Sequence, residues 1–95
     1  MKYLIDAGLS PEVEKKLKNK YDESALDLLK IESDNVIDVI NYFKEIGIKD
    51  IETILITYID IFIRDVDDVK AAFNKHNIKE VVEKINNDIF YIENI

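Results

Sequence analysis

Apolar residues recur along most of the chain at intervals of three and four positions, the spacing that places side chains on one face of an α-helix. The pattern also repeats, because a shift of thirty residues aligns residues 36–55 with residues 66–85. The aligned apolar pairs are Val36 with Val66, Val39 with Val69, Phe43 with Phe73, Ile48 with Ile78, Ile51 with Val81, and Leu55 with Ile85. A two-residue deletion then aligns Asp60–Phe62 with Asp88–Phe90. The chain is therefore predicted to contain at least two copies of one helical unit.

Polar residues and glycine mark where the repeated helices begin and end. Ser33 and Asp65 precede the first helix of each copy and are predicted to be N-caps, because their side-chain oxygens accept hydrogen bonds from free backbone N–H groups. Gly47 and Asn77 occupy one register position after that helix. Both residue types tolerate the left-handed conformation that ends many helices, so both are predicted to adopt it.

The first third of the chain is predicted to be a more divergent copy. Ser10 and Pro11 have the residue types of an N-cap and a first helical position. Val13, Leu17 and Tyr21 follow at helical spacing, and a shorter apolar segment comes after them. This part is therefore also predicted to be helical.

Residues 54–66 carry a conflicting signal, since their β-branched residues alternate as in a strand. The aligned residues 81–86 do not alternate, and the repeat therefore favours helix. The predicted fold is all-α, in a single domain. It is a short right-handed, α-solenoid-like stack of about three helical hairpins, each with a short third helical segment. The units comprise about residues 1–33, 34–65 and 66–95.

The repeated unit resembles that of the mitochondrial transcription termination factor (mTERF) family. The resembling stretches are Phe43–Ile48, the helix from Asp50 to Tyr58, and the shorter Gly8–Val13. The resemblance implies two-helix units, each followed by a short third helix, in a curved solenoid that binds nucleic acid. The family usually has a proline after the second helix and a basic groove. Here the proline positions hold Asp22, Ile59 and Asn87.

The net charge of −7 argues against a nucleic-acid role, which is kept as the alternative. Residues 34–65 are the most acidic part, with seven acidic against three basic residues. The lysines that would have to contact phosphates are Lys15, Lys16, Lys18, Lys20, Lys49 and Lys79. An acidic surface of this kind favours a basic protein partner.

Reactive side chains are scarce, so the protein is predicted not to be an enzyme and to hold no cofactor or metal ion. The sequence has no cysteine, and its one histidine, His76, has no second histidine to pair with. Residues 65–76 lack the glycine and glutamate of a calcium loop. No segment resembles a signal peptide or a membrane span, so the expected location is the cytoplasm and no membrane partner is expected.

The predicted function is therefore a non-enzymatic module that binds a protein partner, as a regulator or as a neutraliser of a basic protein of the immunity or inhibitor type. The chain also ends in an apolar segment, which either folds back onto the third unit or would be free to join a second copy. The candidate interaction residues are Asp34, Asp38, Glu45, Glu52, Asp60, Phe90 and Tyr91.

Overall fold

Nine helical segments follow one another along the chain, and no residue is in a β-strand. The structure is a computed structural model that describes residues 1–95. The all-α prediction is confirmed, and so is the helical interpretation of residues 54–66. The segments are α1 (Lys2–Asp6), α2 (Val13–Lys20), α3 (Glu23–Ile31), α4 (Ser33–Ile46), α5 (Ile51–Thr57), α6 (Ile59–Ile63), α7 (Val66–Asn74), α8 (Ile78–Asn87) and a final 3₁₀ helix (Ile89–Asn94).

Helix α4 lies at the centre of the molecule and packs against α1, α3, α5, α6, α7 and α8. It is the longest helix, with 14 residues. Val36, Val39, Ile40 and Phe43 are fully buried. Their helical spacing gives α4 an apolar face wide enough to hold neighbours on both sides. The remaining helices therefore form a compact globule around α4, with extents of 36 × 24 × 22 Å.

An aromatic cluster joins α4 to α6 and α7. The Phe43 ring packs edge-on against Phe62 of α6, with 5.4 Å between ring centroids. The same ring lies 5.6 Å from Phe73 of α7 and 6.2 Å from Tyr42. Such pairs stabilise beyond the area they bury, so Phe43 links three helices through one side chain.

Two of the predicted helix boundaries are confirmed. Asp65 is the N-cap of α7, and its carboxylate accepts a hydrogen bond of 2.8 Å from the backbone N–H of Asp67. Gly47 ends α4 in the left-handed conformation, with φ +95°. A side chain at this position would be strained, because L-residues other than glycine rarely adopt such a φ.

Two other predicted boundaries, at Ser33 and Asn77, are wrong. Ser33 is the first residue of α4 and makes no capping hydrogen bond. Asn77 has φ −73° and starts α8 instead of ending α7. Its side chain accepts a hydrogen bond of 3.1 Å from the N–H of Glu80, an interaction that requires the extended conformation of an N-cap. The turn between α4 and α5 therefore differs from the turn between α7 and α8.

The 3₁₀ helix after α8 begins thirty residues after the start of α6, which leaves no place for the predicted two-residue deletion. Phe90, which the deletion aligns with the fully buried Phe62, is 58% exposed. Ile92, which lies thirty residues after Phe62, is only 5% exposed. The deletion is therefore wrong, since the side chain that enters the core is Ile92. No helix in the protein is both long and apolar enough to cross a lipid bilayer.

Candidate functional site

The exposed face of α4 carries an acidic stripe, here defined as Asp34, Asp38, Asn41 and Glu45. All four are exposed. Their intervals of four, three and four residues place them on one helical face, opposite the residues that enter the core. Three of the predicted interaction residues therefore share one surface.

A groove with a volume of about 480 Å³ separates this stripe from α7. We refer to it as the acidic groove. It contains three carboxylates against one ammonium group. Its lining residues are Asp38, Asn41, Tyr42, Glu45, Val66, Asp67 and Lys70.

None of the three carboxylates in the acidic groove is in an ion pair. The ion pairs of the protein involve only Glu14, Glu52 and Glu80 as carboxylate partners. Lys70 is the one cation of the groove, and its Nζ lies 5.6 Å from the centroid of the Tyr42 ring. The carboxylates therefore produce a negative potential that no contact within the chain neutralises.

Tyr42 contributes a buried polar group to the acidic groove. The residue is 8% exposed, and its hydroxyl oxygen is buried without a hydrogen-bond partner. Burial, and then the charge of Glu45, raise the pKa of Tyr42, so the phenol is neutral near pH 7 and is able both to donate and to accept. Buried polar groups in proteins are nearly always hydrogen-bonded, so this hydroxyl is a candidate for contact with a ligand.

Tyr42 and Lys70 are not among the candidate residues that the sequence pattern indicates. Tyr42 precedes Phe43 at the edge of the apolar stripe, which is the position of an ordinary core aromatic. Lys70 is one of 13 basic residues. Only the packing of α7 beside α4 brings the two together in the acidic groove.

No three histidine or acidic side chains in the protein converge closely enough to hold a metal ion. The carboxylates of the acidic groove are instead distributed along two helices. That arrangement suits an extended ligand with more than one positive charge.

Glu52, another of the predicted interaction residues, is held by contacts within the chain, and its role in binding a partner stays a prediction. Its carboxylate accepts hydrogen bonds from the Ser10 N–H (2.6 Å), the Ser10 hydroxyl (2.8 Å) and Lys16 Nζ (2.8 Å). Ser10 is not the N-cap of α2, which begins at Val13. Its hydroxyl is used to connect the segment before α2 to α5.

Because of these contacts, the contribution of Glu52 to the stability of the fold depends on pH. Burial raises the pKa of Glu52, but the hydrogen bonds from Lys16 and Ser10 outweigh it and hold the pKa below its usual value. When the pKa of a carboxyl is lower in the folded state than in the unfolded state, the carboxyl stabilises the fold at any pH above its unfolded-state pKa. This stabilisation is lost as the pH falls through the folded-state pKa.

We expect Glu52→Gln to lower the free energy of unfolding by about 1–2 kcal/mol near pH 7, because charged hydrogen bonds are lost. The difference from the wild type should shrink as the pH falls through the lowered pKa of the folded Glu52 carboxyl, because the wild-type side chain then also becomes protonated. Urea unfolding at several pH values measures it, with Glu83→Gln as the control because Glu83 is exposed and unpaired. A difference that does not change with pH would contradict this account.

The remaining predicted interaction residues lie outside the acidic groove. Asp60 is exposed on α6. Phe90 packs against Tyr58 with a centroid distance of 6.5 Å, and the Tyr58 hydroxyl donates to the carboxylate of Glu93. Tyr91 is half-buried, with Lys84 Nζ 5.2 Å from its ring centroid.

The C-terminal segment folds back onto α8, as the first of the two predicted arrangements requires. Ile92 is buried, and Ile89, Tyr91 and Ile95 pack against the core. Phe90 is the one large apolar side chain of this segment that stays mostly exposed.

The lysines of the nucleic-acid alternative are divided between paired and free groups. Lys16 binds Glu52, Lys18 lies 3.6 Å from Glu14, and Lys20 Nζ lies 5.6 Å from the centroid of the Tyr21 ring. The other three lysines are exposed and have no acidic partner at ion-pair distance. Lys15 lies on α2, Lys49 in the turn after α4, and Lys79 on α8.

Comparison with protein-family models, curated proteins and solved structures finds no match for the chain. The resemblance to mTERF repeats therefore stays a prediction. The fold and the candidate site define an all-α protein with an acidic groove between two of its helices.

Proposed function

We propose that the protein is a non-enzymatic interaction module that binds a basic protein partner through the acidic groove between α4 and α7. One observation carries the proposal: three carboxylates without ion pairs share the groove with a buried tyrosine hydroxyl that has no hydrogen-bond partner. A module of this kind would act as a regulator or as a neutraliser of its partner.

The unpaired carboxylates of the acidic groove have an energetic cost in the free protein. Like charges that lie close together repel one another and oppose folding, and a basic partner would remove that repulsion on binding. A concentrated negative field also accelerates the encounter with a positively charged surface and disfavours acidic partners. The unpaired carboxylates of the groove thus favour selective binding of a basic partner and do not stabilise the fold.

We propose further that residues 34–65 and 66–95 are stacked copies of one unit in a short right-handed, solenoid-like arrangement, as in mTERF repeats. The support is that each copy has a first helix, a second helix and a short third helix in that order. Several equivalent positions are also buried in both copies, among them Val39 and Val69, Phe43 and Phe73, and Leu55 and Ile85. On this view the acidic groove lies between the first helices of successive units, where stacked repeats commonly bind partners.

A different protein fits the proposal better than a second copy of this chain. A stable interface buries about 800 Å² on each partner. The C-terminal end keeps only Phe90 largely exposed, so it offers little apolar area for a homo-oligomer. Two copies meeting through their acidic grooves would repel each other.

The nucleic-acid alternative depends on Lys15, Lys16, Lys18, Lys20, Lys49 and Lys79. The contacts of Lys16 and Lys18 with acidic side chains reduce the positive charge available for phosphates. A protein that uses such contacts loses affinity steeply as salt rises and binds duplexes of any sequence at low salt. A gel shift at low salt is therefore the experiment that separates the two functions.

Salt dependence tests the proposed function. We expect a partner captured from the protein's own cell extract at low ionic strength to be released progressively between about 0.05 and 0.5 M salt, because screening weakens attraction between exposed charges. Quantitative elution from the immobilised protein is the measurement. The captured partner should also have a basic surface. Retention that does not change over this range would contradict the charge mechanism.

A further inference from the structure

We propose that the acidic groove contains a seat for an arginine side chain of the partner, formed by the ring and hydroxyl of Tyr42 together with one of the two carboxylates beside it, Asp38 or Glu45. In the free protein Lys70 covers this seat. The proposal rests on the proposed function and specifies the chemical group that the groove recognises.

The ring of Tyr42 is held in place from within the core. It packs edge-on against Phe73, with an interplanar angle of 86° and 5.9 Å between centroids, and it is tilted against Phe43. A ring fixed in this way presents a constant face to the groove. A cation over an aromatic face is attracted by the ring electrons at distances up to about 6 Å.

Lys70 already uses this face. Its Nζ lies 5.6 Å from the Tyr42 centroid, although three carboxylates line the same groove and none of them pairs with it. Lys70 is exposed and its side chain is flexible. The position over Tyr42 therefore accepts a cation, and the cation that occupies it is free to move aside.

Guanidinium matches the remaining groups better than ammonium does. The Tyr42 hydroxyl oxygen is buried without a hydrogen-bond partner and is able to accept from an N–H group. Arginine presents five N–H donors in a planar fork, stacks on aromatic rings and is weakly hydrated, whereas the ammonium group of lysine is compact and strongly hydrated. An arginine over Tyr42 would reach the hydroxyl and a carboxylate together.

The spacing of the carboxylates indicates that the partner segment is extended. Asp38 and Glu45 are seven residues apart on α4, which corresponds to about 10 Å along the helix axis. One guanidinium group cannot contact both at their full separation. A partner segment with one arginine over Tyr42 and a second positive charge beside it would place a cation near Asp38 and another near Glu45.

The test uses ¹⁵N-labelled protein titrated with acetyl-glycyl-arginyl-glycine amide, with the uncharged citrulline peptide as the matched probe. We expect amide shifts from the arginine peptide to concentrate in residues 38–45 and 66–70, and citrulline to bind at least about fivefold more weakly. Equal shifts from both peptides, or shifts spread over every acidic residue, would overturn the proposal.

Variants of Lys70 separate the seat from the net charge. Lys70→Ala removes the competing cation and should strengthen arginine binding about three- to tenfold. Lys79→Ala changes the net charge equally but lies on α8 outside the groove, and should change binding less than about twofold. Equal effects of the two variants would show that only the overall charge matters, which contradicts the seat.

Variants of Tyr42 test the ring and the hydroxyl. Tyr42→Phe should fold normally, since it removes a buried hydroxyl that has no partner, and should weaken arginine binding about threefold. Tyr42→Leu should weaken it more, because the aromatic face is lost. If Tyr42→Phe binds the arginine peptide as tightly as the wild type does, the hydroxyl is not part of the seat. This conclusion holds even if Tyr42→Leu does not fold. If the seat fails while a basic partner is still released by salt, the proposed function survives without it.

Discussion

Replacing Phe43 by alanine will lower the free energy of unfolding by about 3–5 kcal/mol, the cost of removing a large aromatic side chain from a packed core. Phe43 is fully buried at the centre of the molecule and contacts Phe62, Phe73 and Tyr42. Small domains have only about 5–15 kcal/mol of stability in total, so this one change should remove a large part of it.

Urea unfolding of Phe43→Ala and Phe90→Ala measures the effect with an internal control. Phe90 is 58% exposed and packs only against the edge of the Tyr58 ring, so its replacement should change the free energy of unfolding by no more than about 1 kcal/mol. The two variants remove the same atoms from different environments. Similar losses in both would contradict the placement of Phe43 in the core and of Phe90 at the surface.

Local patterns in the sequence were sufficient to predict the helices and most of the core. The apolar spacing of Val36, Val39, Ile40 and Phe43 predicts the buried face of α4, and each of these residues is fully buried. Gly47 and Asp65 were predicted correctly because a left-handed helix end and an N-cap depend mainly on the residue's own chemistry.

The boundaries that were wrong depend on interactions that the pattern does not specify. Ser10 has the chemistry of an N-cap, but its hydroxyl donates to Glu52, which lies 42 positions away. Asn77 was aligned with Gly47, but the turn between α7 and α8 is shorter and requires its side chain as a cap. Neither contact is visible in a search for residue types at helical spacing.

The candidate site was predicted only in part for the same reason. Asp34, Asp38 and Glu45 lie on one face of α4, which their spacing alone indicates. Glu52 was grouped with them by charge, although the fold gives it Ser10 and Lys16 as partners. Tyr42 and Lys70 come together only when α7 packs beside α4, and no local signal identifies that neighbour.

Neutralising two groove carboxylates should greatly weaken partner binding without weakening the fold. In Asp38→Asn/Glu45→Gln the like-charge repulsion on α4 decreases, so the thermal midpoint should stay the same or rise. Loss of two charges at the contact should weaken binding at least about tenfold. The combination is informative, because a purely structural role for these residues would lower both quantities together.

The matched control is Asp27→Asn/Glu83→Gln, which changes the net charge by the same amount. Asp27 and Glu83 are exposed, make no ion pair and lie outside the acidic groove. Because distant surface charges act only through a screened field, this variant should lose no more than about threefold in affinity. Its fold should also be unaffected.

The most direct measurement is therefore the affinity of the captured basic partner for the two double variants at one ionic strength, with the thermal midpoint of each recorded alongside. Binding through the acidic groove predicts that Asp38→Asn/Glu45→Gln loses the partner at an unchanged or higher midpoint, while Asp27→Asn/Glu83→Gln retains it. Equal affinities for the two variants, or a lower midpoint in the groove variant, would contradict a binding role for this groove.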